Sequence, residues 1–192
     1  MNTFFVYICP YFSQDMQHVI LTLVFYALVI ARFISIFISA ANERKLKKMG
    51  AIEYGKSNST LLVIAHFAYY IAAVTEGTLK GAFFYDGLSY FGLAVYAFSI
   101  VILYYVIYAI RHVWTVKLII APKSHHVINK SPLFKYIKHP NYFLNIIPEL
   151  IGFALFFHAW ITLIAGMIIY LVPLVTRIRQ EEAVMKEHFS EY

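Results

Sequence analysis

The chain has 192 residues, of which 61% are hydrophobic and 14% are charged, and its formal net charge is +6. Soluble domains are usually about half apolar and about a quarter charged, so this composition excludes an ordinary soluble domain and predicts an integral membrane protein. The single cysteine, Cys9, excludes an internal disulfide and a cysteine-based metal cluster.

The apolar segments predict an all-α polytopic fold with about five transmembrane helices. A spanning helix requires about 20 mainly apolar residues. Three candidates lie in the N-terminal part, at Val19–Ala41, Leu61–Val74 and Gly87–Ile110. The basic stretch Asn42–Thr60 is predicted as a solvated loop, and the mixed segment Arg111–Asn141 is too polar to span.

The last apolar stretch, Tyr142–Thr176, is too long for a single crossing. Its 35 residues would form a helix of about 52 Å, whereas the hydrocarbon core is about 30 Å thick. We therefore predict a helical hairpin that turns at residues 158–160, followed by a charged C-terminal helix, Arg177–Tyr192. Each helix of the hairpin has about 16 residues, which is slightly short for a full crossing.

Residues 1–192 are predicted to form one domain, with three spans in residues 1–110 and the polar, site-bearing region in residues 111–192. The stretches 42–60 and 111–141 and the C-terminal tail hold 14 of the 16 basic residues. Basic segments stay in the cytoplasm, so we predict an N-terminus outside and these segments inside. Anionic lipid of the inner leaflet accounts for the positive charge, and no nucleic-acid partner is predicted.

Three polar clusters fall on the predicted cytoplasmic side, at residues 125–136, 137–143 and 177–182. A hairpin returns the chain to the same face, so the second and third clusters should be neighbours. Together the clusters suit a ligand with a carboxylate, an amine and a ribose diol, through His126, Lys138, His139, Tyr142, Arg177, Arg179, Glu181 and Glu182. The alternative for the third cluster is a juxtamembrane amphipathic helix with acids in its first turn. No HxxxH or HExxH spacing is present, so no metal is predicted.

The run His139–Tyr142, with His126 thirteen residues earlier and Arg177 followed by Glu181 and Glu182, resembles the isoprenylcysteine carboxyl methyltransferase family. These are membrane enzymes that use S-adenosylmethionine. The resemblance covers residues 100–192 well. The sequence departs from the family pattern at four positions. Lys138 replaces the usual Arg, Pro132 the usual Gly, Asn129 the usual Val and Phe134 the usual Tyr. The cofactor loop is therefore expected to differ in detail.

A narrower resemblance extends to most of the chain. The runs Asn42–Leu46, Gly50–Gly55 and Trp114–Lys117, with Glu149, are similar to a bacterial branch of the family. Some members of that branch are associated with type III polyketide synthases and O-methylate alkylpyrones or related lipophilic phenols. The resemblance implies a lipophilic acceptor that enters from the bilayer between helices, a cofactor that comes from the cytoplasm, and location in a bacterial plasma membrane.

The resemblance also implies the site residues. Glu181 and Glu182 are assigned to the ribose diol or the amino group of the cofactor, and Arg177 with His139 to its carboxylate. The catalytic candidates are Glu149, Arg177 and Tyr142. The full set implied to bind the cofactor is His126, Ile128, His139, Pro140, Tyr142, Arg177, Glu181 and Glu182.

Glu149 has two interpretations, because an ionisable residue in a span is a functional candidate by default. It is either a general base or substrate orienter, or the structural partner of Arg32 in the first span.

Other functions also stay open. A lipid reductase of the steroid 5-alpha-reductase type carries a similar His-Pro-Asn-Tyr run and uses NADPH, although the Glu181–Glu182 pair after Arg177 favours the methyltransferase. Phospholipid N-methylation and a non-catalytic membrane scaffold are the remaining alternatives.

Overall fold

Helices dominate the fold, and the only strands in the described part of the chain form one short pair. The computed structural model describes residues 3–81, 85–120 and 132–188. In chain order the elements are α1 (Thr3–Lys48), β1 (Ile52–Tyr54), α2 (Lys56–Leu79), α3 (Gly87–Ala109), β2 (Leu118–Ile120), α4 (Pro132–Tyr136), a π-helical turn (Asn141–Ile146), α5 (Ile147–Phe156), a second π-helical turn (Thr162–Gly166) and α6 (Met167–His188). The all-α prediction is confirmed.

Four helices are long and apolar enough to cross a membrane, and one further apolar helix is shorter. The long ones are Met16–Lys48, Lys56–Leu79, Gly87–Ala109 and Thr162–His188, and the short one is Asn141–Phe156. Four long helices and one short helix agree with the predicted five membrane segments. The hairpin is nevertheless asymmetric, because its second helix runs without a break into the charged tail.

The first helix is longer than its apolar part, which corrects the sequence prediction. The predicted loop 42–60 is instead helical as far as Lys48, because Glu43, Arg44, Lys45, Leu46 and the two lysines that follow are good helix formers. Gly50, at a φ of +83°, ends this helix, and Gly55, at a φ of +56°, precedes α2. A side chain other than glycine rarely adopts either conformation.

The connection between α1 and α2 pairs with the segment that follows α3. Strands β1 and β2 are antiparallel, with Glu53 opposite Ile119. The side chains of β2 are buried, whereas those of β1 are half-buried or exposed. The pair therefore closes one end of the helical bundle, at the membrane face where the polar clusters lie.

Helix α5 packs closely along α3 because two glycines face each other. A β-carbon on Gly92 would lie 2.5 Å from the backbone nitrogen of Phe156, and one on Gly152 would lie 2.6 Å from that of Tyr96. Small residues allow helix backbones to approach in membranes. Near this contact the rings of Phe25 and Phe156 are stacked with centroids 4.5 Å apart. Both residues belong to the main hydrophobic core.

The hairpin turns at the predicted place. His158 has a φ of +53°, and its Nε2 lies 3.1 Å from Oδ1 of Asp86, which caps α3. Glu76, near the end of α2, accepts hydrogen bonds from the backbone N–H groups of Ile161 and Thr162 at 2.9 and 2.8 Å. The side chains of α2 and α3 thus fix the turn at the end of the bundle opposite the polar clusters.

Candidate functional site

The second and third polar clusters lie together, as the hairpin topology predicts. The Nε2 atom of His139 lies 3.2 Å from Oε1 of Glu182, and its Nδ1 lies 3.5 Å from Oε1 of Glu181. The hydroxyl of Tyr142 donates a hydrogen bond to Glu181. Arg177 Nε in turn donates to the Tyr142 hydroxyl at 3.3 Å.

A π-helical turn presents Tyr142 to α6, and His139 lies just before this turn. The backbone N–H of Ile147 donates to the carbonyl of Tyr142, five residues back, so the turn is wider than in an α-helix. It ends just before Pro148, which lacks an N–H and is tolerated in the first turn of α5. The rings of His139 and Tyr142 stack at the start of this turn, with centroids 5.6 Å apart.

The two carboxylates determine the charge of His139. Burial alone disfavours the imidazolium, but the close contacts and charges of Glu181 and then Glu182 outweigh burial and raise the pKa of His139 above its usual value. Lys138, which is half exposed, lies 3.4 Å from Glu182. The cluster therefore combines cations and carboxylates within one small volume.

Arg177 is buried and bound by three groups on separate parts of the chain. It donates to Ser59 Oγ on α2 at 2.6 Å, to the carbonyl of Val116 at 3.1 Å, and to the hydroxyl of Tyr142. All three of these partners are uncharged. Glu181 is linked to Arg177 through the Tyr142 hydroxyl, so the guanidinium has no direct carboxylate partner among these contacts and can pair with an anionic group of a ligand.

A cavity of about 240 Å³ adjoins the cluster, and we call it the polar cavity because charged side chains form part of its lining; much of the rest is apolar, including Val106, Ile119 and Phe134. Its walls include Lys138, His139, Pro140, Tyr142 and Arg177, together with Glu181. Nδ1 of His139 is buried there, and its contact with Glu181, at 3.5 Å, lacks the geometry of a hydrogen bond. A buried polar atom without a partner is costly unless a ligand or water satisfies it, so the cavity is suited to a polar ligand.

An apolar cavity of about 230 Å³ lies on the other side of Tyr142 and Arg177. Its mouth is formed by Phe33 and Ile36 of α1 and Val63 and Phe67 of α2, all of which are exposed on the outer surface of the bundle. The rings of Phe33 and Phe67 face each other across the mouth with centroids 6.2 Å apart. The wall between the two cavities is formed by Trp114, Thr115, Lys117, Asn141, Tyr142 and Arg177.

Glu149 lies outside both cavities and is fully buried. Arg32 Nε donates to its Oε1 at 2.6 Å, and the hydroxyl of Tyr70 donates to the same oxygen. Nε2 of His66 lies 3.3 Å from that oxygen. The structural pairing of Glu149 with Arg32 is thus present in the structure, whereas its role as a base or orienter stays a prediction.

Some predicted site residues do not join the site. Arg179 is exposed on α6 and lines neither cavity. Glu182 contacts His139 but does not line the polar cavity. His126 and Ile128 lie outside the described residues. Among the residues that the structure describes, no group of three His, Cys, Asp or Glu side chains is placed to hold a metal ion.

Sequence reasoning missed several residues that the structure gathers here. Ser59, which binds Arg177, had no distinguishing signal, because serine is common at the start of a helix. His66 and Tyr70 did have one: a histidine inside a predicted span is a functional candidate on the same grounds as Arg32 and Glu149. Their convergence on Glu149 depends on how α1, α2 and α5 pack.

Comparison with known proteins adds a family match. The model of the isoprenylcysteine carboxyl methyltransferase (ICMT) family matches residues 92–187. An uncharacterized protein of Haemophilus influenzae is 49% identical over 169 residues, which cover 88% of this chain and 96% of that protein. The uncharacterized protein YpbQ of Bacillus subtilis is 27% identical over 162 residues, which cover 84% of this chain and 94% of that protein. No solved structure matches the chain.

Proposed function

Because the chain belongs to the isoprenylcysteine carboxyl methyltransferase family, whose members are membrane methyltransferases, we propose that it uses S-adenosylmethionine to methylate an oxygen atom of a lipophilic acceptor. The observation that carries this proposal is the pair of cavities with a common wall. One is polar and lies among charged side chains, and the other is apolar and opens between α1 and α2. A transfer between a charged donor and a lipid-soluble acceptor requires two such compartments that meet.

The side chains of the polar cavity fit the cofactor. His139 and Arg177 are cationic groups for its carboxylate, and Glu181 is an acceptor for its amino group or ribose hydroxyls. The unsatisfied Nδ1 of His139 supports this assignment. When bound, the cofactor supplies an activated methyl group. The task of the protein is then to align the two reactants and exclude water, which can contribute roughly 7–11 kcal/mol.

The wall between the cavities favours an oxygen acceptor over an amine. Arg177 lies in this wall and its hydrogen-bond partners are uncharged, whereas Lys117, also in the wall, is paired with Glu43 at 2.7 Å. The charge of Arg177 stabilises an anionic oxygen, such as a carboxylate, an enolate or a phenolate, and repels a protonated amine. We therefore favour an acceptor such as an alkylpyrone enol, a lipophilic phenol or an isoprenylcysteine-like carboxylate over a phospholipid amine. Tyr142, which lies between Arg177 and Glu181, is the candidate that orients the reacting oxygen.

The acceptor would reach the site from the lipid. The exposed apolar side chains at the mouth of the apolar cavity form a path that needs no passage through water. The basic residues support a cytoplasmic polar cavity in a plasma membrane, with the N-terminus outside. Single cysteines placed at Lys48 and Lys80 in a Cys9→Ser background test this orientation. A membrane-impermeant reagent applied to intact cells should label position 80 and spare position 48, and the opposite pattern would reverse the topology.

Calorimetry on the detergent-solubilised chain tests the proposed function. S-adenosylmethionine should bind, and His139→Ala and Glu181→Gln should each weaken its binding about ten- to a hundredfold, as expected when a charged hydrogen bond is lost. Glu187→Gln, an exposed change on the same helix, is the matched control and should bind normally. Binding of NADPH without binding of S-adenosylmethionine would refute the proposal and favour the lipid reductase.

A further inference from the structure

Glu149 orders a group of polar side chains that the function proposed above does not use. Arg32, His66 and Tyr70 line the apolar cavity, whereas Glu149 lies behind them. Arg32 and Tyr70 donate hydrogen bonds to one oxygen of Glu149, and His66 lies against the same oxygen. One buried carboxylate thereby holds side chains of α1 and α2 in fixed positions on the cavity wall.

These side chains lie deeper along the helices than the wall between the two cavities. Arg177 binds Ser59 near the start of α2, and His66 lies seven residues further along this helix. Seven helical residues rise about 10 Å. Leu62 and Val63, on the turn between these two levels, also line the cavity. The apolar cavity therefore has polar groups at two levels, separated by a hydrocarbon surface.

The charge at the deeper level determines which ligand group it can bind. Arg32 and Glu149 form a salt bridge at 2.6 Å, so together they carry no net charge. An additional anion would be desolvated there without a cation of its own, which is unfavourable. A neutral oxygen needs only donors, and the side chains of Arg32 and His66 carry them on the cavity wall. Nδ1 of His66 lies 3.2 Å from the hydroxyl of Tyr170, whereas the contact of Nε2 with Glu149, at 3.3 Å, lacks the geometry of a hydrogen bond.

We infer that Arg32 and His66, positioned by Glu149 and Tyr70, form a second recognition site that binds a neutral carbonyl, ether or hydroxyl oxygen of the acceptor. This oxygen would lie about 10 Å from the reacting oxygen at Tyr142 and Arg177. The acceptor class is thus a lipophilic molecule with two oxygen functions, rather than a simple alkylphenol or fatty acid. The inference rests on the proposed function, since it takes the apolar cavity to be the acceptor site.

Three probes of equal chain length test this inference on the full chain in detergent. The first is a plain long-chain alkylphenol, the second carries a chain ketone about 10 Å from the phenol oxygen, and the third carries the ketone beside the ring. Trp160→Phe leaves Trp114 as the one tryptophan, and Trp114 lines the cavity. Its fluorescence reports binding of each probe without any methyl transfer.

The second probe should bind about two- to tenfold more tightly than the other two, as expected for one additional hydrogen bond. His66→Phe should abolish this difference, so that the second probe binds no more tightly than the plain alkylphenol does to the same variant. His112→Phe, at an exposed position outside both cavities, should preserve it. Equal affinities of the wild type for all three probes would overturn the inference. Tighter binding of the second probe that persists in His66→Phe would overturn it as well.

Methyl transfer from radiolabelled S-adenosylmethionine to the same probes separates the two proposals. A chain that prefers the second probe but neither binds the cofactor nor methylates any probe would refute the proposed function and keep the recognition site. A chain that methylates the three probes with equal affinity would refute the recognition site alone.

Discussion

Replacing Glu149 with Gln removes one charge and almost no volume, so this variant tests whether the residue neutralises Arg32. The carboxylate is fully buried, and the side chain of Arg32 is only 12% exposed. Breaking a buried ion pair by removing one partner costs about 3–5 kcal/mol, because the other charge stays buried without compensation. We expect Glu149→Gln to lose this amount of unfolding free energy, measured by reversible unfolding in mixed micelles with increasing SDS.

Adding Arg32→Met to Glu149→Gln should recover part of the loss, because both charges are then gone. The double variant should be about 0.5–3 kcal/mol more stable than the sum of the single effects predicts. Glu187→Gln is the control: Glu187 is exposed on α6, where a charge contributes no more than about 1 kcal/mol. A Glu149→Gln protein as stable as the control, or strictly additive effects, would refute the reasoning. Normal stability with low turnover would instead show that Glu149 serves turnover by positioning the side chains around it and not by neutralising Arg32.

Three further predictions concern packing, pH and the hairpin turn. Gly152→Ala should lower the unfolding free energy by about 1–3 kcal/mol, because its β-carbon would lie 2.6 Å from a backbone nitrogen of α3. A β-carbon at Gly87 would meet open space, so Gly87→Ala is the control and should leave the unfolding free energy unchanged. The pKa of His139 is raised in the folded state, so its pairing with Glu181 stabilises the fold at acidic pH and this contribution is lost as pH rises through the raised pKa. The melting temperatures of the wild type and His139→Gln should therefore converge once the pH exceeds the raised pKa of His139, and a gap that widens with pH would contradict this sign. Glu76→Ala should cost about 0.5–2 kcal/mol, as for a lost helix cap, and an unchanged melting temperature would show that the turn does not need it.

The sequence was sufficient for the membrane segments and for the meeting of two polar clusters. Hydropathy located the spans because each helix must cover the thickness of the bilayer with apolar side chains. The 35-residue apolar stretch exceeded one crossing, so the hairpin followed from length alone, and the proximity of His139 to Glu181 followed from the hairpin. These inferences depend on local composition and on the return of the chain to one face.

The remaining features depend on contacts between distant parts of the chain. Strand β1 has three residues and gains its identity only by pairing with β2, more than sixty positions later. The predicted end of α1 was wrong because polar residues mark the edge of the membrane and not the end of a helix. The backbone stays helical beyond that edge, until the positive φ of Gly50 ends the helix. Ser59 meets Arg177 only because α2 and α6 lie side by side. Periodicity and composition carry no information on such pairs.

The short helix Asn141–Phe156 has a consequence for how the protein is assembled in the membrane. Most side chains of α5 are buried against other parts of the protein, including the carboxylate of Glu149. A segment of this length with a charge in it is a poor substrate for insertion on its own, since a charged residue at the centre of a helix costs about 2.5–3.5 kcal/mol at the translocon. It becomes stable only when α1 supplies Arg32 and α3 supplies the facing groove. The stability of α5 in the membrane thus depends on helices that precede it in the chain.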